Sequence, residues 1–560
     1  RTRIDLDTLI AVSKLSEDDV MDALDELVDA DIVEEHRVGD NEQVELSHGR
    51  FRDVLLDMWD PLALRVGHQR LGEALEKLHR DEIGRVVEEL AYHFEEAGLA
   101  SKAYAYLVLT ATRHLSRSLF EESLVFLDRA LGIEADARPF LVLEEADRRL
   151  AEVWLAISQA RYQLGQLERA MRATEQALAL ADVLADPRLQ SRVALELGVQ
   201  LRHQGRAHEA EEKLELAVSK AEEAGDQNLV TAPLYQLGGV LWSRGDLSGA
   251  ETHWRRSLEL ATLVGDERAQ GNGYNGLAIL AICRGQALEA RRHLEQSARL
   301  FERLGMLAPL VIARGNLIEL YMNTGILRKA LVLADRMVAQ CEEVGHVQGM
   351  AVGRAWQARC LLTLGRLDDA RRANDEALRI TSELALKEDE AFARSNEVHI
   401  ERIEGRLDEA LVAVDGLLTL LAQHDHEGIV PEVCAWKAEF LARLSRIDEA
   451  EAVLASAPSA DGAWPHIRAR ADIARGRALR HMGAIEPARR ALTAALEAAE
   501  GDGYRYFQLH AHLELARVVD ADDQERHTRV ARGLARSLAA NLPRDDADRF
   551  LKRHGLADRP

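Results

Sequence analysis

Apolar positions along most of this chain fall three, four and seven residues apart, the spacing of one face of an α-helix. Upstream of Gly205 they are Ala194, Leu197, Gly198 and Leu201; upstream of Gly245 they are Leu234, Leu237, Gly238 and Leu241. The pattern steps by 40 residues: "LGQLERA", "QGRAHEA", "RGDLSGA", "RGQALEA", "TGILRKA", "LGRLDDA" and "EGRLDEA" place glycine at 165, 205, 245, 285, 325, 365 and 405. "LSRIDEA" carries Ser445 in that slot, and a ninth copy, "MGAIEPA", carries Gly483 after an irregular joint, "SAPSADGAWP". Five residues after each mark stands alanine, at 170, 210, 250, 290, 330, 370, 410, 450 and 488.

Each copy predicts a helical hairpin. Glycine ends the first helix, where a left-handed cap strains other residues. Alanine sits early in the second helix, where a small side chain lets two backbones approach. One such hairpin has an apolar face too wide to hide alone, so neighbours must stack. In the Gly405 copy, Glu397 and Glu401 fall on packing positions, which predicts a rotated or partly exposed helix. The expected fold is all-α, a helical-hairpin solenoid.

The ends break the pattern. "IDLDTLIAVSKL" reads as a helix, and Ser16 as the N-cap of a second one, with Asp19 in the third helical position. "IVEEHRVGDNEQVELS" suggests two strands around Gly39-Asp40. Helix, helix, hairpin is a winged-helix order. A DNA-reading version needs a basic second helix, yet Ser16 to Glu35 holds ten acidic residues and no Lys or Arg. The expected organisation is a winged-helix-like domain over 1–60 and a helical connector with about two degenerate hairpins over 61–140. Nine repeats then fill 141–500, and capping helices 501–560. In the connector, Gly98 and Ala103 repeat the spacing, as do Ser118 and Ser123.

Composition sharpens this picture. The formal charge of −24 repels polyanions, so nucleic acid is not an expected partner. No apolar run approaches the roughly 18 residues that span a bilayer, and no membrane association is expected. The four cysteines, Cys283, Cys341, Cys360 and Cys434, form no C-x-x-C pair, which fits a reducing, cytoplasmic compartment. Few lysines and many arginines hint at a GC-rich bacterial genome. The chain begins inside what reads as a domain, as a piece of a longer protein would.

Several motifs invite chemical readings. "GNGYNG" at 271–276 has the spacing of a dinucleotide loop, but helical residues precede it where a strand is required; close helix packing is the better reading. His79-Arg80-Asp81 imitates a kinase loop, but Val86 stands where its Asn belongs. His424, Asp425, His426 and Glu427 read as turn residues rather than metal ligands. None of the nine lysines follows a glycine, so no phosphate-binding loop is present, and no catalytic residue, cofactor site or metal site is expected.

The large residue, Leu-Gly, Gly, Ala order of the repeats resembles the tetratricopeptide repeat over roughly residues 150–500, with a longer period than the usual 34. The whole order, with His48 and Arg52 in "SHGRFRDVLL" after the wing, resembles the C-terminal half of STAND-type signalling ATPases, including transcription-activator, cyclase and Ser/Thr-kinase fusions. That resemblance implies a regulatory sensor arm in bacterial signal transduction. It also implies an NTPase domain upstream in the same polypeptide, which alone would use ATP with Mg, and through which the parent could oligomerise. The tetratricopeptide resemblance implies a concave groove lined by Tyr235, Trp242, Asn272, Asn275, Glu319, Met322, Arg359, His399 and Arg402. A protein, a peptide or a small-molecule inducer would bind there. The alternatives are a passive protein scaffold, or the regulatory arm of a kinase or cyclase.

Overall fold

The computed structural model describes residues 3–38, 41–117, 119–384, 386–423, 429–460, 464–500 and 503–556. Gly39-Asp40, Ser118 and the His424–Glu427 cluster lie outside them. The chain forms two compact units, Arg1–Val240 and Leu241–Pro560, divided inside the repeat array. Helical hairpins dominate both, as the forty-residue period demands.

The first unit opens with a three-stranded antiparallel sheet, in which Asn41–Leu46 lies between Arg3–Asp5 and Val33–Val38. Helices Leu6–Ser13 and Glu17–Asp29 precede the hairpin, and Val20, Leu24, Val33 and Val44 form the small core. Arg3–Asp5 was not expected as a strand: three residues carry too little alternation to be read. Ser16 Oγ accepts from the Asp19 N–H at 3.2 Å, which starts the acidic helix where expected. Helices Gly49–Met58, Pro61–Leu78, Val87–Glu96, Ala100–Ser116 and Phe120–Ala137 follow, before the hairpins Leu143–Gln163/Leu167–Leu184 and Pro187–His203/Ala207–Glu223.

In the second unit the inner helices are Glu267–Cys283, Leu307–Thr324, Val347–Leu364, Lys387–Glu404, Val430–Arg443 and Pro465–His481. Across the repeats of both units, glycines 165, 205, 245, 285, 325, 365, 405 and 483 end their helices with φ between 72° and 83°, and Ser445 does so at φ 62°. All nine alanines are 0% exposed. The absence of a side chain beyond Cβ is therefore what lets the two helices of each hairpin touch.

The "GNGYNG" glycines lie inside the Glu267–Cys283 helix. A Cβ on Gly271, Gly273 or Gly276 would come within 2.8 Å of Phe301, 2.9 Å of Leu258 or 2.6 Å of Trp254. These glycines serve packing. The Lys387–Glu404 helix does not turn its Glu401 outward. Glu401 is buried because Arg371 and Arg406 reach it at 3.1 and 2.5 Å, so the packing position keeps its place with a neutralised charge.

The last helices, Arg505–Leu515, Ala521–Ala539 and Arg544–Arg553, fold back over earlier ones of the same unit. Arg505–Leu515 packs against Leu307–Thr324, and Arg544–Arg553 against Val347–Leu364. Leu327 and Leu364 share a core with Leu509, Leu538 and Phe550. The second unit thereby closes on itself around its inner helices.

Candidate functional site

Inner helices of the second unit project side chains into one cavity of about 430 Å³. Its walls come from Leu307–Thr324 (Glu319, Met322), Val347–Leu364 (Trp356, Arg359), Lys387–Glu404 (Phe392, His399, Arg402), Val430–Arg443 (Glu432, Trp436) and Pro465–His481 (Arg470, Arg477). The folded-back helices add Tyr506, Phe507, His510 and Arg553.

Five of the nine residues expected in a groove therefore share this cavity: Glu319, Met322, Arg359, His399 and Arg402. The other four stand elsewhere. Tyr235 is half-buried in the first unit. Trp242 lies against Trp464, ring centroids 5.1 Å apart, and donates from Nε1 to Cys283 Sγ at 3.4 Å. Asn275 is buried, its Oδ1 accepting from Asn316 Nδ2 at 3.2 Å, and Asn272, half-buried on the same helix, does not line the cavity.

Sequence reasoning missed several lining residues within its reach. The inward-facing set of positions 13, 10, 6 and 3 residues before the glycine, which holds Arg359 before Gly365, also holds Phe392 and Ser395 before Gly405, and Arg470, Ile473 and Arg477 before Gly483. Tyr506, His510 and Arg553 lie beyond the repeats, where no such position exists.

The arginines divide by partner. Arg470 meets Glu432 at 2.7 Å and Glu319 at 3.6 Å. Burial works against its charge, but these carboxylates hold its pKa above the ordinary value. Arg477 meets Glu514 at 3.1 Å. Arg359 is different: it donates to Ser395 Oγ at 2.6 Å and to Asn396 Oδ1 at 2.5 Å, and its guanidinium lies 5.2 Å from the Phe392 ring centre. Among the described residues no carboxylate forms an ion pair with it. Burial, with Arg470 nearby, pushes its pKa down to about 10, so it remains a cation at neutral pH. Arg402 has a long contact to Glu439, 3.9 Å, and burial lowers it to about 10 as well. Arg553 Nη1 and Arg402 Nε are buried without a hydrogen-bond partner among the described residues.

The histidines record the same field. Burial, then Arg359, Arg402 and other arginines, hold His399 well below its ordinary pKa; burial, His554 and Arg477 do so for His510. Both are neutral at pH 7. His399 packs edge-on to Trp436 at 4.5 Å, and Trp356 lies 4.4 Å from Phe392. Arginine donors thus stand beside aromatic walls in this cavity. Behind Met322, burial raises the Cys360 thiol, which contacts Met322 Sδ at 3.6 Å. Among the described residues there is no group of His, Cys, Asp and Glu arranged to hold a metal. No described helix is long and apolar enough to cross a membrane.

Residues 151–182 and 229–303 match models of the tetratricopeptide repeat, and these segments are such repeats within a tetratricopeptide-like array. A search of curated proteins finds no match. Among solved structures, the chain is similar to a signal transduction ATPase with numerous domains (STAND) carrying a tetratricopeptide repeat sensor, from Pyrococcus horikoshii. Identity is 15% and TM-score 0.41, over 70% of this chain and 63% of that one. The alignment thus spans less than two thirds of that ATPase. A Rap protein complexed with competence and sporulation factor is 16% identical, TM-score 0.45, over 63% of this chain and 96% of that one. Aspartyl phosphate phosphatase F from Bacillus subtilis is 12% identical, TM-score 0.42, over 63% and 92%.

Proposed function

We propose that this chain is a sensor arm: it binds a small molecule in the cavity of its second unit and passes that state to a signalling NTPase domain of the same polypeptide. The observation that carries the reading is the cavity itself. Its volume, about 430 Å³, suits a small ligand, and aromatic walls with a few convergent polar groups are the usual chemistry of such sites. Its walls come from helices far apart in sequence, so an occupant would tie repeats to the folded-back helices. The sequence order supports an ATPase partner. Met58, Trp59 and Leu62 leave 74%, 51% and 67% of their surfaces in solvent, which supports a protein contact on the first unit. A passive scaffold would use its outer surface and would gain nothing from the cavity.

Native mass spectrometry of the full chain after incubation with a metabolite extract from its source tests this. A bound small molecule is expected, and Ala391→Phe, which fills the cavity from the Lys387–Glu404 helix, removes it. Retention of the same molecule by that variant, or binding of intact proteins alone, overturns the reading.

A further inference from the structure

Five arginines and two glutamates line the cavity, in a chain whose formal charge is −24. Behind the wall, Glu439 also meets Arg443 at 3.7 Å, and Glu514 also meets Arg480 at 3.4 Å and Arg517 at 2.9 Å. These carboxylates are shared, so they do not cancel the surplus. Both glutamates of the lining are engaged by Arg470. The unspent donors belong to Arg359, Arg402 and Arg553. A guanidinium carries five N–H groups, and Arg359 uses Nε and one Nη2 hydrogen on Asn396 and Ser395. Arg402 Nε and Arg553 Nη1 have no partner among the described residues. Buried like charges with few carboxylate partners and unused N–H groups cost free energy, which a bound anion would offset. Flat walls flank these donors: Trp356, Phe392, Trp436 and Tyr506.

Resting on the reading of this cavity as a binding site, we infer that its ligand is a small organic anion, an oxyanion carried on a flat, largely apolar body. Arg359, Arg402 and Arg553 receive the oxyanion, and the aromatic walls receive the body. A carboxylate and a phosphate ester share this chemistry. Inorganic phosphate supplies the charge without the body, and a neutral aromatic supplies the body without the charge. Burial first, and the surrounding arginines after it, lower the pKa of the two lining histidines.

Isothermal titration of the full chain with aromatic carboxylates and nucleoside monophosphates, each beside its neutral amide or nucleoside, separates the outcomes. At least one anion is expected to bind about tenfold or more tightly than its neutral counterpart, since charge-assisted hydrogen bonds are the strong ones. Inorganic phosphate alone is expected to bind weakly. Arg359→Met and Arg553→Met are each expected to weaken the best anion about tenfold while its neutral counterpart is unaffected. Neutral compounds binding as well as anions overturn this inference and leave the binding site standing. Inorganic phosphate binding as tightly as the best organic anion overturns the apolar body. Failure of every probe overturns both the inference and the site. Should either variant unfold, the wild-type comparison of anion with neutral partner still decides.

Discussion

A glycine inside a helix has two opposite meanings, and the neighbours decide which applies. Gly276 faces Trp254 of the preceding hairpin, so Gly276→Ala is expected to overpack the seam between the two hairpins and cost about 1–3 kcal/mol. Gly416 has nothing within 4 Å of its would-be Cβ, so Gly416→Ala is expected to be neutral or to stabilise by up to about 1 kcal/mol. Urea unfolding of both variants checks the pair; equal effects would sink the packing account of "GNGYNG". The sequence made these glycines legible as helical, because residues around them keep the helical period. It did not reveal their partners, because Phe301 meets Gly271 only when the two helices of the hairpin close, and Leu258 and Trp254 meet Gly273 and Gly276 only when the preceding hairpin stacks. The same limit hid the fate of Glu401: a carboxylate on a packing position reads as misplaced until Arg371 and Arg406 are brought to it.

At the level of elements, the repeat slot with φ near 70–80° is a property of the hairpin, and its occupant is a separate choice. Ser445 holds that conformation at φ 62° with a Cβ. Ser445→Gly is expected to raise the stability of the second unit by about 1 kcal/mol, read as a higher unfolding midpoint. Gly325 and Gly405 test the folded-back helices. Both have left-handed φ, so alanine strains each alike, but a Cβ on Gly325 would also meet Leu538 of the Ala521–Ala539 helix at 2.1 Å, whereas Gly405 faces open space. Gly325→Ala is expected to destabilise more than Gly405→Ala, with faster amide exchange in Ala521–Ala539 only for the former. Equal exchange in that helix would argue against its docking there. The hairpins were legible because cap, alanine and apolar stripe recur together. Where the final helices dock was not, since a short amphipathic helix such as Arg544–Arg553 fits many apolar faces.

For the second unit as a whole, buried histidines set the response to acid. Burial, the leading cause for both, lowers His466 and His554 from 6.5 to about 4, and His399 and His510 lie well below 6.5. The unfolded chain takes up these protons near pH 6.5 and the folded unit does not until about pH 4. Stability is therefore full above about 6.5 and is lost as pH falls across that window, by about 1–2 kcal/mol per deeply buried histidine at pH 5. Glu514 works lower: burial raises its pKa, but Arg477, Arg517 and Arg480 hold it below 4.5, so its contribution fades only at still more acidic pH. A thermal unfolding series from pH 7.5 to 5 is expected to show a falling midpoint that His399→Gln and His554→Gln flatten; a constant midpoint would contradict the buried neutral state. The repeat positions brought five of the lining residues within sequence reading, and the cavity's completion by Tyr506, His510 and Arg553 appears only in the closed unit. That closure also orders events during synthesis. Glu319 and Arg553 are about 230 residues apart, so at roughly 5–20 residues per second the wall containing Glu319 waits some 10–50 s for its last arginine. A nascent chain can stack its repeats one by one, yet the cavity stays incomplete until the Arg544–Arg553 helix has left the ribosome.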